Sequence, residues 1–536
     1  MPPRAIPTTG TGKIQRNRCA RQVASGAWTI AGRTPGTSAA ESGFDRAAFA
    51  ILPPEPRRVE AIRVLRRTVA RLAGLDQDIV ATNRPLPEFG IDSILTVKLN
   101  LEIQDLFAVT VPTARLRDAT TIEALASLIL DGGEARHADM VTDRALAADI
   151  RPGTAAATDT PEFLFLTGAT GFLGGFLLGE LLRTTEARIA CLIRAATPEA
   201  GLDRLRARLT AIGLWEDRFA ERLEAINGDL NRPALGLDDA TFARLGEQVQ
   251  AIYHNGASVD FVAPYATLER ANVGSVEDCL RLATLGRPKP VHFTSTLAVF
   301  NGIGRLGLSH VAETSRLDDP QQLVGGYAQS KWVAESLLTQ AGARGLSVGI
   351  YRAGFIGGHG ATGFWNTEDF LCRLIKGSAQ LGVYPDITLD LPFVSVDYVA
   401  RAIVALSRHP VPGSRACHLI APTPLALRDL MRWTNDAGHP LKPIPYGRWR
   451  RMLREALPMT NDLFPVLPFL IEPGANGDTV IDVFLKPDQP IWADAVTRER
   501  LAGSGIAADP VDCAYVQRCL SYFHKVGFMA APKAVS

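Results

Sequence analysis

The stretch that most constrains this chain is Phe163-Leu-Phe-Leu-Thr-Gly-Ala-Thr-Gly-Phe-Leu-Gly174. Five mostly apolar residues run into Gly168, Gly171 and Gly174, and an apolar, helix-permissive run from Phe176 to Leu182 follows. That order predicts a buried strand, a tight turn and the first turn of a helix. The three glycines serve separate ends. One permits the turn, one lets a pyrophosphate approach the backbone, and one lets helix and strand pack closely. Unpaired N–H groups and the dipole at the helix amino end both favour phosphate. A lone G-x-x-G-x-x-G is a weak signal. Here it follows a strand, opens a helix and leads to a second strand, Arg188 to Ile193, which ends in Arg194. The stretch predicts dinucleotide binding on a Rossmann-type, doubly wound parallel α/β sheet. An acid near Arg194's position would favour NAD, whereas an arginine accommodates a 2′-phosphate, so NADPH is the expected cofactor.

At 536 residues the chain exceeds one core, and two to four domains are expected. Net charge is +1, which leaves no electrostatic footprint for nucleic acid. The 7 cysteines show no metal-ligand spacing and no disulfide framework, so a reducing cytoplasm and no metal are expected. No apolar run reaches the length of a membrane span. The first 35 residues are basic but broken by prolines and glycines, unlike a targeting helix. Gly10-Thr-Gly-Lys13 is not a phosphate loop, because Ile14 stands where Ser or Thr must ligate magnesium.

Ile6-Pro-Thr-Thr-Gly-Thr-Gly-Lys-Ile-Gln-Arg16 resembles the last motif of adenylate-forming enzymes, most like the fatty acyl-AMP ligase branch. The resemblance implies that Lys13 matches the lysine contacting the acyl-adenylate. With the rest of such a domain absent, residues 1–22 are expected to be a remnant, vestige or truncation, followed by a linker over 23–51.

Residues 52–131 read as a compact all-α unit. Val59, Ile62, Val69 and Leu72 give one helical stripe, and Ser93 stands at the start of a second carrying Ile94, Val97 and Leu101. A helix N-cap is the plain reading of that serine. Phe89-Gly-Ile-Asp-Ser-Ile94, Leu106-Phe107, Val111-Pro112 and Thr120-Thr-Ile-Glu-Ala-Leu125 together resemble a four-helix acyl or peptidyl carrier protein, the one departure being Ile94 where leucine is commoner. The resemblance implies that Ser93 bears 4′-phosphopantetheine, whose thiol carries an acyl thioester. It implies two partners as well, a phosphopantetheinyl transferase and an upstream acyl-activating or synthase module. Residues 132–160, small and polar, are expected to be a tether.

From 161 strands and helices alternate. Ala225-Ile-Asn-Gly-Asp-Leu230 and Ala251-Ile-Tyr-His-Asn-Gly-Ala257 end two strands, where ligands bind in open α/β sheets. His254 is expected in the core. Val291-His-Phe-Thr-Ser-Thr296 ends another strand, and Tyr327-Ala-Gln-Ser-Lys331 opens a helix with both long side chains on one face. An ammonium beside a phenol favours phenolate, lowering its pKa from about 10, and a strand-end hydroxyl can hold a substrate oxygen.

Gly168-Ala-Thr-Gly-Phe-Leu-Gly174, Cys191-Leu-Ile-Arg194, Gly228-Asp-Leu230, His254-Asn-Gly-Ala257, Tyr351-Arg-Ala-Gly-Phe-Ile-Gly357 and Phe393-Val-Ser-Val-Asp397 resemble the thioester reductase branch of the extended short-chain dehydrogenase/reductases. The resemblance implies a catalytic set of Thr296, Tyr327 and Lys331. The cofactor contacts it implies are Gly168, Thr170, Gly171, Phe172, Leu173, Gly174, Arg194, Asp229, Leu230, Asn255, Gly256 and Ala257, with Tyr327 and Lys331. It places an NADP-binding unit at 161–410 and a smaller substrate-side subdomain at 411–536. The implied activity is NADPH-dependent release of the carrier-bound acyl chain as an aldehyde, with reduction on to the alcohol left open. A sugar-nucleotide epimerase or dehydratase of the same superfamily and a non-catalytic docking module are the alternatives.

Overall fold

The computed structural model describes residues 44–130 except 45, 51, 92, 108 and 110–120. It describes 140–471 except 154–159, 261–262, 302–309, 318–319, 321–322, 409 and 411, and finally 479, 481–482 and 490–532. The ligase-like motif, most of the first expected linker, residues 132–139 and 154–159 of the second, Val111-Pro112 and the side chain of Ser93 lie outside the described residues.

The first helical unit contains α1 (Pro54–Ala73), α2 (Ser93–Phe107) and α3 (Ile122–Leu130). Pro54 suits the first turn of α1, where its missing N–H costs nothing, and Gly74 closes the helix in the left-handed region at φ 67. The expected stripe of α1 holds at Val69, which is buried, and at Ile62 and Leu72, which pack half-buried against the same core, but not at Val59, which is 65% exposed. Ala61, Val64, Leu65 and Thr68 complete the buried face beside them. On α2 the buried stripe is Leu95, Leu99, Ile103 and Phe107, while the side chains of Ile94, Val97 and Leu101 lie outside the described residues. The rings of Phe44 and Phe49 meet that of Phe107 tilted and edge-on, at 5.2 Å between centroids each, so both pack onto this helical unit although the expected linker reached to 51.

Beyond residue 160 stands a seven-stranded, wholly parallel sheet. In chain order its parts are β1 (Phe163–Thr167), α4 (Phe172–Thr184), β2 (Arg188–Ile193), α5 (Pro198–Ala211), β3 (Leu223–Asn227), α6 (Asp239–Gln248) and β4 (Ala251–His254). Then follow α7 (Ser275–Thr284), β5 (Val291–Thr296), α8 (Gly326–Ala343), β6 (Ser347–Ala353), α9 (Phe370–Leu381), α10 (Val396–Ser407) and β7 (Gly413–Leu419). Strand order is β7-β6-β5-β4-β1-β2-β3. Along β1, Phe163 and Phe165 enter the core under α7 and α8, while Leu164 and Leu166 enter the one under α4 and α10. That period of two, apolar on both sides, is what a strand covered by helices on both faces requires.

Helices α11 (Leu427–Asp436), α12 (Tyr446–Ala456) and α13 (Cys513–Lys525) join α9 in a smaller unit with its own core around Trp365, Phe393, Leu430, Trp449 and Phe523. The boundary expected at 410/411 is corrected here. Gly413–Leu419 pairs with β6 and completes the sheet, while α9, earlier in the chain, belongs with the smaller unit. The chain crosses between the two units more than once, which no linear boundary can express.

The expected tether is shortened too. Arg344 donates to the carbonyls of Leu146, Ala147 and Ile150, Gln340 donates to that of Arg144, and Tyr265 donates to Asp143. Leu146 and Ile150 are buried in the sheet unit's core. Residues 140–153 are thus strapped onto the sheet unit. Met459 packs against the core of the first helical unit, and Phe464–Val466 borders α2.

Candidate functional site

Strand order turns back between β1 and β4, and the crevice beyond their carboxyl ends is the ligand position in such sheets. Gly168 takes φ +74, and a Cβ there would stand 2.7 Å from the Cα of Gly256. A Cβ on Gly174 would stand 1.9 Å from the carbonyl oxygen of Gly168. The first glycine therefore makes the turn and the last lets α4 sit against it, while Gly171 caps α4 with no side chain over the helix's amino end. Bare N–H groups at an uncovered helix terminus suit a pyrophosphate.

A directed polar chain fixes this turn. The Gly256 N–H donates to Thr167 Oγ1 (2.9 Å), which donates to Nδ1 of His254 (2.8 Å). His254 Nε2 then donates to Ser275 Oγ (3.1 Å), which donates to the carbonyl of Ala271 (2.6 Å). Only the neutral Nε2–H tautomer satisfies every member, and burial pushes His254 down to about 3, keeping it neutral. His254 is a core residue, as expected.

A cleft of about 570 Å³ opens there. Its walls include Gly168, Thr170, Gly171, Phe172, Leu173, Arg194, Asp229, Leu230, Asn255, Gly256, Ala257, Thr296, Tyr327 and Lys331. Gly174 is the one expected sheet-unit residue not lining it, since it packs beneath the turn. At the end of β5, Thr294, Ser295 and Thr296 all border the cleft; Thr294 and Thr296 are half-buried, while Ser295 is buried and donates to Glu335 (2.5 Å). That bond commits Ser295 to structure. Thr296 Oγ1 also accepts the Ala298 N–H at 3.1 Å, which holds the hydroxyl oxygen at the strand end.

Lys331 is 2% exposed, donates to the Thr294 carbonyl at 2.8 Å, and lies 4.4 Å from the Phe293 ring centroid and 6.0 Å from that of Tyr327. Here an expectation is overturned. The phenol of Tyr327 is not lowered but pushed up to about 12 by burial, and burial pushes Lys331 down to about 7. Desolvation acts on both groups and outweighs their mutual attraction across that distance. The nearby carboxylate of Glu335, one turn further along α8, partly offsets the effect on Lys331. Glu335 is itself clamped by Arg352 through a bidentate pair, the shortest contact being 2.7 Å.

Three contributors are not evident from the sequence motifs. Arg204 lines the cleft beside Arg194 and donates to its carbonyl, which places two exposed cations at the end where a 2′-phosphate would lie. Its position on α5, ten residues on, carries no local signal. Thr294 lines the cleft two residues before Thr296 on β5, a spacing that Val291-His-Phe-Thr-Ser-Thr296 does contain. Asn272, 1% exposed within the π-helical turn Arg270–Gly274, accepts from Ser258 N and donates to the Ser258 carbonyl and to Ser330 Oγ. It ties the cleft loop to the helix bearing Tyr327 and Lys331. An amide inside an apolar helix was the only hint, and π-turns gather at functional sites.

The glycine turn fits a nicotinamide dinucleotide, because its Cβ-free backbone, uncovered helix terminus and flanking arginines match the group's charge and shape. Fold and site together define an extended short-chain dehydrogenase/reductase. Residues 166–403 match the family described as male sterility protein, and residues 63–129 match the phosphopantetheine attachment site. The chain is 38% identical over 396 residues to the isonitrile lipopeptide synthase of Streptomyces coeruleorubidus, covering 73% of this chain and 26% of that one. It is 33% identical over 419 residues to the L-2-aminoadipate reductase of Schizosaccharomyces pombe, covering 72% and 30%. It therefore spans well under half the length of these relatives. Among solved structures, the terminal R domain of the myxalamid PKS-NRPS pathway matches at 38% identity with a TM-score of 0.67, covering 74% of this chain and 99% of that one. An archaeal thiolation-reductase di-domain shares the fold at 20% identity, with a TM-score of 0.65 and 88% of this chain covered. The chain belongs to the carrier-plus-terminal-reductase family of the nonribosomal peptide synthetases.

Proposed function

We propose that the chain releases an acyl group from phosphopantetheine on Ser93 by NADPH-dependent reduction to the aldehyde. The observation that carries this reading is the convergence of Thr296, Tyr327 and Lys331 on the glycine-turn cleft, in a chain whose carrier packs against the same reductase. Bound NADPH supplies the hydride that adds to the thioester carbonyl carbon. Thr296 and Tyr327 offer hydroxyls to the oxygen as charge develops there, and Tyr327 gives it a proton. Lys331, one helical turn from Tyr327, favours the phenolate left behind and would hold the nicotinamide ribose. When the resulting hemithioacetal collapses, its C–S bond breaks, and the thiol stays on the carrier. Arg194 and Arg204 favour the phosphorylated cofactor. A phosphopantetheinyl transferase and an upstream acyl-activating or synthase module complete the proposal, in a reducing cytoplasm that suits the six free thiols among the described cysteines.

The test loads the carrier with an acyl-pantetheine, adds NADPH and identifies the released product by mass spectrometry. Aldehyde is expected from the parent, no loading from Ser93→Ala, and a release rate lower by roughly 10²–10⁴ from Tyr327→Phe. Release at the parent rate from Tyr327→Phe overturns the assignment of the acid.

A further inference from the structure

The geometry points to a substrate class: an acyl chain with an uncharged, apolar tail that runs from the cleft into the smaller unit. This rests on the reductase reading above and deepens it. The cleft's far wall is Phe355, Phe370 and Phe469, the last two meeting edge to face at 4.9 Å between centroids. The same three rings form the near wall of a second cavity, of about 30 Å³. Behind them Leu374, Leu427 and Trp449 close it, and every described residue lining it is apolar. A void of that size holds about one or two carbon-sized groups, so only the end of a tail enters it. The rest lies against the phenylalanines in the larger cleft.

Charge decides against the competing tails. Asp369 is the acid on the cleft wall next to Phe370, and its carboxylate accepts the Leu371 N–H at 2.9 Å, capping α9. No lysine or arginine lines the inner cavity among the described residues. A tail ending in a carboxylate or ammonium would be stripped of water there with no charged partner among the described residues, at a cost far above the gain from its methylenes. An aliphatic or aromatic end gains with each carbon buried.

Alkyl-pantetheine thioethers, which carry no carbonyl to reduce, separate binding from turnover. Titrated into the full chain with NADP⁺ present, a series from ethyl to dodecyl is expected to bind roughly three- to fourfold tighter per methylene, levelling once the tail fills the cavity. An ω-carboxylated thioether of equal length is expected to bind at least 100-fold more weakly. Leu374→Phe should move the levelling point to shorter chains and Leu374→Ala to longer ones. Mere destabilisation cannot produce opposite shifts. Affinity independent of chain length, or equal affinity for the ω-carboxylate, overturns the inference, and both are read on the parent protein even if a variant does not fold. If the length profile appears but the matching thioesters are not consumed with NADPH, the reductase reading fails and the tail site stands.

Discussion

Lys331 combines full burial with a working charge, and the balance between the two has a measurable consequence. Burial brings it down to about 7, while Tyr327, pushed up to about 12, stays protonated throughout the working range. The ammonium is the form that donates, and in the free protein it is lost as pH rises through about 7. A plot of kcat/KM, which reports the free enzyme, should therefore show one descending limb with a midpoint near 7. In kcat the midpoint should lie higher, since bound dinucleotide brings negative charge. A kcat/KM that stays level to pH 9 would exclude the ammonium from the reaction. Arg194 gives a second prediction at this scale. A charge-assisted contact to phosphate is worth roughly 1.5–3 kcal/mol, or about one to two decades in affinity. Arg194→Ala should weaken NADPH binding within that range and leave NADH nearly unchanged, as read by fluorescence titration. With Arg204 adjacent, the lower end is expected. Equal losses for both cofactors would make Arg194 structural only.

At the scale of elements, α8 is a core helix, burying Trp332, Val333, Leu337 and Leu338, that also carries a row of polar side chains. It presents Tyr327 and Lys331 to the cleft and Glu335 to β5 and β6, where Ser295 and Arg352 meet it. Arg352 also donates to the Glu313 carbonyl, and the Glu313 carboxylate accepts the N–H groups of Val496 and Thr497, closing the start of the helix Ala495–Leu501. One polar thread thus joins the helix bearing Tyr327 and Lys331 to the helix Ala495–Leu501. Removing one partner of a buried pair typically costs about 3–5 kcal/mol, because the other charge is left alone. Glu335→Gln should therefore lower stability by about that amount in a urea titration. It should also move the descending limb of kcat/KM to lower pH, since Glu335 is the charge that holds Lys331 up. A stability loss with an unmoved limb would confine Glu335 to scaffolding.

For the whole molecule, the strap over 140–153 decides how the carrier is held. The covalent leash between Leu130 and Met140 spans at most about 3.3–3.6 Å per residue, which confines the carrier to the neighbourhood of the reductase and raises its effective concentration there. The polar composition of 132–160 pointed to a tether. What it omitted was that Leu146 and Ile150 are apolar anchors, and that Arg344 and Gln340, about 190 residues away, would supply donors for the backbone between them.

The sheet, its dinucleotide turn and the candidate residues at the strand ends were legible in the chain because each rests on local rules. Strand alternation, glycine spacing and the i, i+4 pair at Tyr327 and Lys331 all act over a few residues. On α1 the stripe was legible at Ile62, Val69 and Leu72 but was carried on to exposed Val59, because only packing shows where a buried face ends. The direction of the Tyr327 and Lys331 shifts depended on how much protein surrounds them, and no spacing states that. Arg204, Asn272 and the apolar cavity behind Phe370 and Phe469 arise from segments far apart in the chain. Sequence by itself determined which backbone could turn, cradle phosphate and carry a phenol beside an amine. Tertiary structure alone decided which groups lost their water, which charges found partners and where an acyl tail could lie, because burial and long-range pairing exist only once the chain is folded.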